Sequence, residues 1–100
     1  MDQLTDFLRQ MPKIELHVHL ESTMPGWLLE RFAVRQGRTL PRTPEELYHC
    51  SAEDLSDFLG FLDRICSYVG TTADLTEAAE HFSAACREEN ILYAEAILNP

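Results

Sequence analysis

The sequence predicts an α/β protein built on a parallel sheet, and three observations carry that expectation. Two short segments near the ends of the 100-residue chain, about 14–20 and 91–98, alternate apolar with polar residues. Between them, apolar residues recur at helical spacing and are punctuated by glycine, proline and threonine. Strand, helices, strand is a β-α-β pattern, and a crossover of that kind joins parallel strands.

The elements follow in order. "TDFLRQM" predicts a short helix docked through Leu4, Phe7 and Leu8, closed by Pro12 because a residue before proline is pushed out of the helical region. "KIELHVHL" predicts the first strand, with Ile14, Leu16, Val18 and Leu20 on one face. "STMPGWLLERFAVRQG" predicts a helix capped by Ser22 or Thr23, with Leu28, Leu29, Phe32 and Ala33 inward and Gly37 at its end. A connection with a helical turn after Pro44 comes next. A strong helix is expected over about 52–69, with Ser51 and Asp54 at capping-box spacing and Leu55, Phe58, Leu59, Leu62, Ile65, Cys66 and Val69 at helical period. "TTADLTEAAEHFSAACREEN" predicts a third long helix with Leu75, Ala78, Ala79, Phe82 and Ala85 inward. "ILYAEAIL" closes the pattern as a strand with Tyr93, Glu95 and Ile97 on one face.

Composition sets the class. The chain is 45% hydrophobic and 25% charged, an ordinary globular balance, and charges interrupt every apolar run well short of a membrane span. No secretory signal opens the sequence, and Cys50, Cys66 and Cys86 have no C-x-x-C spacing, which reads as reduced thiols of a cytoplasmic protein. The net charge of −9 is uneven: residues 1–42 carry +1 and residues 43–100 carry −10. An acidic surface repels phosphate backbones, so neither a nucleic-acid polymer nor a membrane is an expected partner. Arg31, Arg35, Arg38 and Arg42 read as a solvated helix edge running into a loop.

The wet face of the first strand is unusual, because Glu15, His17, His19 and Glu21 all share it. Taken alone, an H-x-H pair reads as two histidines packed or hydrogen-bonded in a core. Its setting favours a metal. The opposite face is apolar, so the strand is expected to be buried on both sides, and buried imidazoles and carboxylates need partners. Two imidazoles from one strand suit zinc or another divalent ion. The pair also lies at the C-terminal end of its strand, where parallel barrels place their chemistry.

"PKIELHVHLEST" resembles the first strand of the adenosine deaminase family of metal-dependent aminohydrolases, usually P-K-x-E-L-H-x-H-L-(D/E)-G. "LSDFLGFLDRI" resembles that family's helix near the substrate entrance, and "YAEAILNP" its second strand, usually Y-x-E-x-R-x-x-P. The resemblance covers most of the chain. It implies a (β/α)₈ barrel with extra helices between the first strand and the first barrel helix. The 100 residues would then be the N-terminal portion of a single barrel domain whose remainder lies beyond Pro100. It further implies that His17 and His19 are zinc ligands, one ion per subunit, and that His19 and Glu21 meet the substrate. Phe58, Leu59 and Leu62 match apolar residues of the pocket mouth, although as bare sequence they are a helix core. The third His, the Asp ligand and the catalytic Glu and His fall in later strands, so no catalytic residue is expected here and the portion alone should be inactive. Ser22 departs from the usual Gly, at a cost of about 1 kcal/mol if the turn needs positive φ. Ile97 replaces the usual Arg, leaving Glu95 to find another partner.

The reaction the resemblance implies is hydrolysis of the exocyclic amine of an adenine-type base or nucleoside, releasing ammonia. A zinc-bound water, its pKa lowered to about 7, attacks the amine-bearing carbon. The rivals are another metal-dependent amidohydrolase of the same barrel type and a non-catalytic acidic helical binding module. His81, among Asp74, Glu77 and Glu88, reads as a solvated histidine, and His49–Cys50 lacks zinc-finger spacing. The H-x-E…P-C-x-x-C signature of the other zinc deaminases and any glycine-rich phosphate loop are absent from the sequence.

Overall fold

Two parallel strands with a block of helices between them organise the chain. The computed structural model describes residues 2–49 and 54–98. The order is α1 (Gln3–Gln10), β1 (Lys13–His19), a 3-10 turn (Leu20–Thr23), α2 (Gly26–Arg35), α3 (Pro44–Tyr48), α4 (Leu55–Cys66), α5 (Thr72–Glu88) and β2 (Ile91–Ile97). β1 pairs with β2 in parallel, as the β-α-β pattern requires. The expectations for Cys50 and for Ser51 as a capping residue lie outside the described residues.

Local chemistry explains where the helices start and stop. Asp2, Thr43, Asp54 and Thr71 each accept the backbone N–H three residues on, capping α1, α3, α4 and α5. Asp54, the second of the two expected capping residues, caps α4. Ser22 and Thr23 do not cap α2; their hydroxyls donate back to the carbonyls of His19 (2.8 Å) and Leu20 (2.7 Å) and tighten the 3-10 turn. Pro25 occupies the N-cap of α2 without a side-chain bond, and Gly37 (φ 67°) takes the left-handed position after the helix. Positive φ at non-glycine residues is confined, among the described residues, to His17 and Asn90, so Ser22 carries no such strain.

The core lies among the helices. Leu28, Leu29, Phe32 and Ala33 of α2 pack with Phe61, Leu62 and Ile65 of α4, Tyr68, Met24 and Ala78. Each large apolar side chain so buried stabilises the fold by about 1.5–3 kcal/mol relative to exposure. This is the inward stripe the helical spacing predicts, except that Leu55, Phe58 and Leu59 of α4 and Ala79 of α5 are exposed.

Polar side chains fasten α2 to α5 and to the α4–α5 turn. Arg35 donates to Asp74 (2.9 Å) and Glu77 (2.8 Å), and Arg31 also pairs with Glu77. Asp74 is buried, with its second oxygen accepting from the Gly70 amide at 3.1 Å. Arg38 stacks 3.9 Å over the Tyr68 ring and donates to the Ser67 carbonyl at 2.9 Å. The arginines at 31, 35 and 38 are thus a clamp rather than a solvated edge, and Asp74 is not on a wet face. Charges forty residues apart met because α2 and α5 pack side by side.

The hydrogen bond from Arg35 holds the Glu77 carboxyl below the usual carboxylate range. A carboxyl depressed by folding stabilises above its unfolded pKa, and that contribution is lost as pH falls through the folded value. The urea midpoint should therefore drop between pH 7 and about 3, and drop less in Arg35→Gln. The difference is modest because the pair is partly solvated. Equal acid sensitivity in the two proteins would show that the clamp carries no such linkage.

Two expectations change at the sheet and its neighbour. α1 forms, but Leu4, Phe7 and Leu8 are exposed rather than docked. It is tied instead through its C-terminal end, where Lys13 Nζ donates to the carbonyls of Leu8 and Arg9. Nor is β1 buried on both faces: Ile14 is 62% and Leu16 56% exposed. Only Val18 and His19, at the end nearest the helices, are partly covered along with Lys13 at the start. Two strands cannot cover their own faces.

Candidate functional site

The site is built where β1 runs into the 3-10 turn. Strict alternation along β1 is broken, because the register passes from Glu15↔Ala94 to Val18↔Ala96. Three steps on β1 match two on β2, so one extra residue sits at Leu16–His17, a β-bulge with His17 in the left-handed region (φ 62°). Histidine tolerates that region better than β-branched residues do, and bulges of this kind re-aim side chains.

The bulge does not separate the two imidazoles. The His17 and His19 rings lie 5.3 Å apart between centroids and 75° between planes. His19 packs edge-on to Phe58 of α4 at 6.5 Å, and its Nδ1 is buried with no hydrogen-bond partner among the described residues. A buried ring nitrogen without a protein partner is costly unless something else satisfies it. Two adjacent imidazoles, one with such a nitrogen, are chemically suited to a zinc-type ion. No group of three or more His, Cys, Asp or Glu gathers in metal-holding geometry among the described residues. His17 and His19 can therefore supply at most part of a ligand set.

Glu21 occupies the 3-10 turn just beyond the pair and is only 4% exposed. It lines a cavity of about 650 Å³ with Cys66, Gly70, Thr71, Thr72 and Leu98. Glu21 follows β1, Leu98 follows β2, and residues 70–72 lead into α5, so this cavity lies past the C-terminal ends of both strands. The histidines are not among its walls. The three apolar candidates divide. Phe58 touches His19 and Leu59 is exposed, whereas Leu62 is 2% exposed and belongs to the core.

On β2, Ile97 pairs in register with His19, and Glu95 accepts the Tyr93 hydroxyl at 2.7 Å. That contact raises the Tyr93 pKa and supplies the partner Glu95 lacked with Ile97 in place of a cation. His81 is half-buried, its ring edge-on to Trp27 at 5.6 Å, and so is not simply solvated. Burial raises the Cys86 thiol, and the Glu15 carboxylate adds to the shift, which keeps it unreactive at neutral pH. The cavity wall at residues 70–72 escaped the sequence reading. Its signal was the Thr71–Asp74 cap, which starts α5 on the side where parallel strands end.

The geometry defines a class: an α/β unit with an imidazole pair at the end of its first strand and a carboxylate one turn on. No protein-family model matches the chain. It is 32% identical over 99% of its length to an adenine deaminase of Kluyveromyces lactis. It is similar also to the adenine deaminases of Candida albicans (33%, 99% of the chain) and Bordetella parapertussis (31%, 95% of the chain). The chain is thus similar along nearly its whole length to proteins named adenine deaminase. It spans about 30% of the length of these curated relatives.

Proposed function

We infer that the full-length protein is a metal-dependent deaminase of adenine, built on a (β/α)₈ barrel of which β1 and β2 are the first two strands. The observation that carries this reading is the His17–His19 ring pair with the buried, unsatisfied Nδ1 of His19, on a chain similar to proteins named adenine deaminase. His17 and His19 would hold one zinc ion, with the remaining ligands from elsewhere in the full-length protein. When bound, zinc makes a water acidic enough to be deprotonated near neutral pH.

The chain's own residues position the reactants. Phe58 braces the His19 ring and keeps bulk water from that side. Glu21, buried at the cavity edge, accepts a hydrogen bond from a donor on the substrate. A glutamate reaches one methylene, about 1.5 Å, further than an aspartate at this position. That length takes up space an N9 ribose would need, so free adenine is the favoured substrate over adenosine. A misplacement on that scale costs about 10²-fold in rate.

The test is ammonia release from adenine, adenosine and a 5′-modified adenosine by the full-length protein. kcat/KM for adenine should exceed that for adenosine by about 10²-fold, and Glu21→Asp should narrow the gap. Deamination of none of these substrates rejects the reading. Preference for adenosine, unchanged in Glu21→Asp, rejects Glu21 as the selector and leaves the deaminase standing.

A further inference from the structure

Most arginines of the chain are engaged by it. Arg31 and Arg35 hold carboxylates, Arg38 holds the Ser67 carbonyl, and Arg87 reaches Ser83. Arg42 and Arg64 differ: neither guanidinium has a hydrogen bond or ion pair to a described residue. Both line one cavity of about 410 Å³, with His49, Pro41, Leu47 and Glu46 as its other walls. Arg64 is one of only two basic residues in the acidic stretch 43–100. The Glu46 carboxylate accepts the Thr43 hydroxyl at 3.1 Å, which holds it at the start of α3.

Two guanidiniums sharing a cavity repel each other unless an anion lies between them, and the guanidinium fork matches tetrahedral oxyanions. We propose that Arg42, His49 and Arg64 form a binding site for a phosphate-type oxyanion, separate from the His17–His19 pair. The guanidiniums take the phosphate oxygens, the imidazole N–H of His49 donates to a third, and Pro41 with Leu47 forms an apolar wall for an attached organic group. The volume lies in the range of small-molecule sites. Occupation ties the end of α4 to α3, and the opposite end of α4 carries Phe58 against His19.

The experiment is calorimetric titration of the full-length protein with inorganic phosphate and, separately, with AMP, each against Arg42→Gln/Arg64→Gln and the control Arg87→Gln. Only binding that is lost in the double variant is assigned to this cavity. Wild type and control should bind phosphate saturably. The double variant should bind it about tenfold to a hundredfold more weakly, the loss expected for charge-assisted hydrogen bonds. AMP binding much tighter than phosphate identifies a phosphorylated nucleoside as the occupant; equal affinity identifies the free anion. Arg64→Lys, which keeps the charge without the fork, should fall between wild type and Arg64→Gln. No saturable binding by wild type, or equal binding by the double variant, overturns the site.

Discussion

Replacing His19 with alanine in the full-length protein should remove bound metal and deamination together, with activity lowered at least 10²-fold (order of magnitude). The ring sits against His17 at 5.3 Å and carries the buried nitrogen that no described residue satisfies. His17→Ala should do the same, and Phe58→Ala should weaken metal binding less, because Phe58 only braces the ring from 6.5 Å. Elemental analysis reads the metal, ammonia release the activity, and circular dichroism the fold. Metal content unchanged in both histidine variants would show that the pair is a packed aromatic contact and nothing more. The fold should survive His17→Ala, since the side chain lies exposed on β1.

The second large effect is in the core. Phe32→Ala should cost about 3–5 kcal/mol of unfolding free energy, the range for emptying a fully buried aromatic site. Phe32 has no exposed surface, lies among Leu28, Leu29 and Ile65, and carries the Arg35 guanidinium 5.6 Å from its ring. The substitution removes packing and also loosens the arginine that reaches Asp74 and Glu77. Urea denaturation of the full-length protein measures it, with Phe32→Leu expected to lose less than half as much. A loss below about 1 kcal/mol would mean that the helices are not centred on this side chain. Leu59→Ala, on an exposed face of α4, is the comparison that should change stability little.

Most of the architecture was legible because short-range rules produce it. Alternation at 14–20 and 91–97 marks two strands, apolar recurrence marks α2, α4 and α5, and the helical block between the strands makes their pairing parallel. The candidate site was legible in part for the same reason: residues two apart on a strand are neighbours whatever the rest of the fold does, so His17 and His19 were bound to lie close. Glu21 was legible as a carboxylate just beyond them.

Tertiary structure decided everything that depends on residues distant in sequence. Which arginines clamp carboxylates followed from α2 lying beside α5, about forty residues away, and no spacing rule carries that information. Ser22 and Thr23 had the chemistry of caps, but the chain turned at 20–23 before α2 began, so their hydroxyls closed that turn instead. The bulge at His17 came from matching β1 to β2 in register, a property of two strands together. Leu62 and Phe58 share a helix and a composition, yet one faced the core and the other His19, because a helix presents different faces to different neighbours. Periodicity determined the elements; the packing partner determined what each side chain was for.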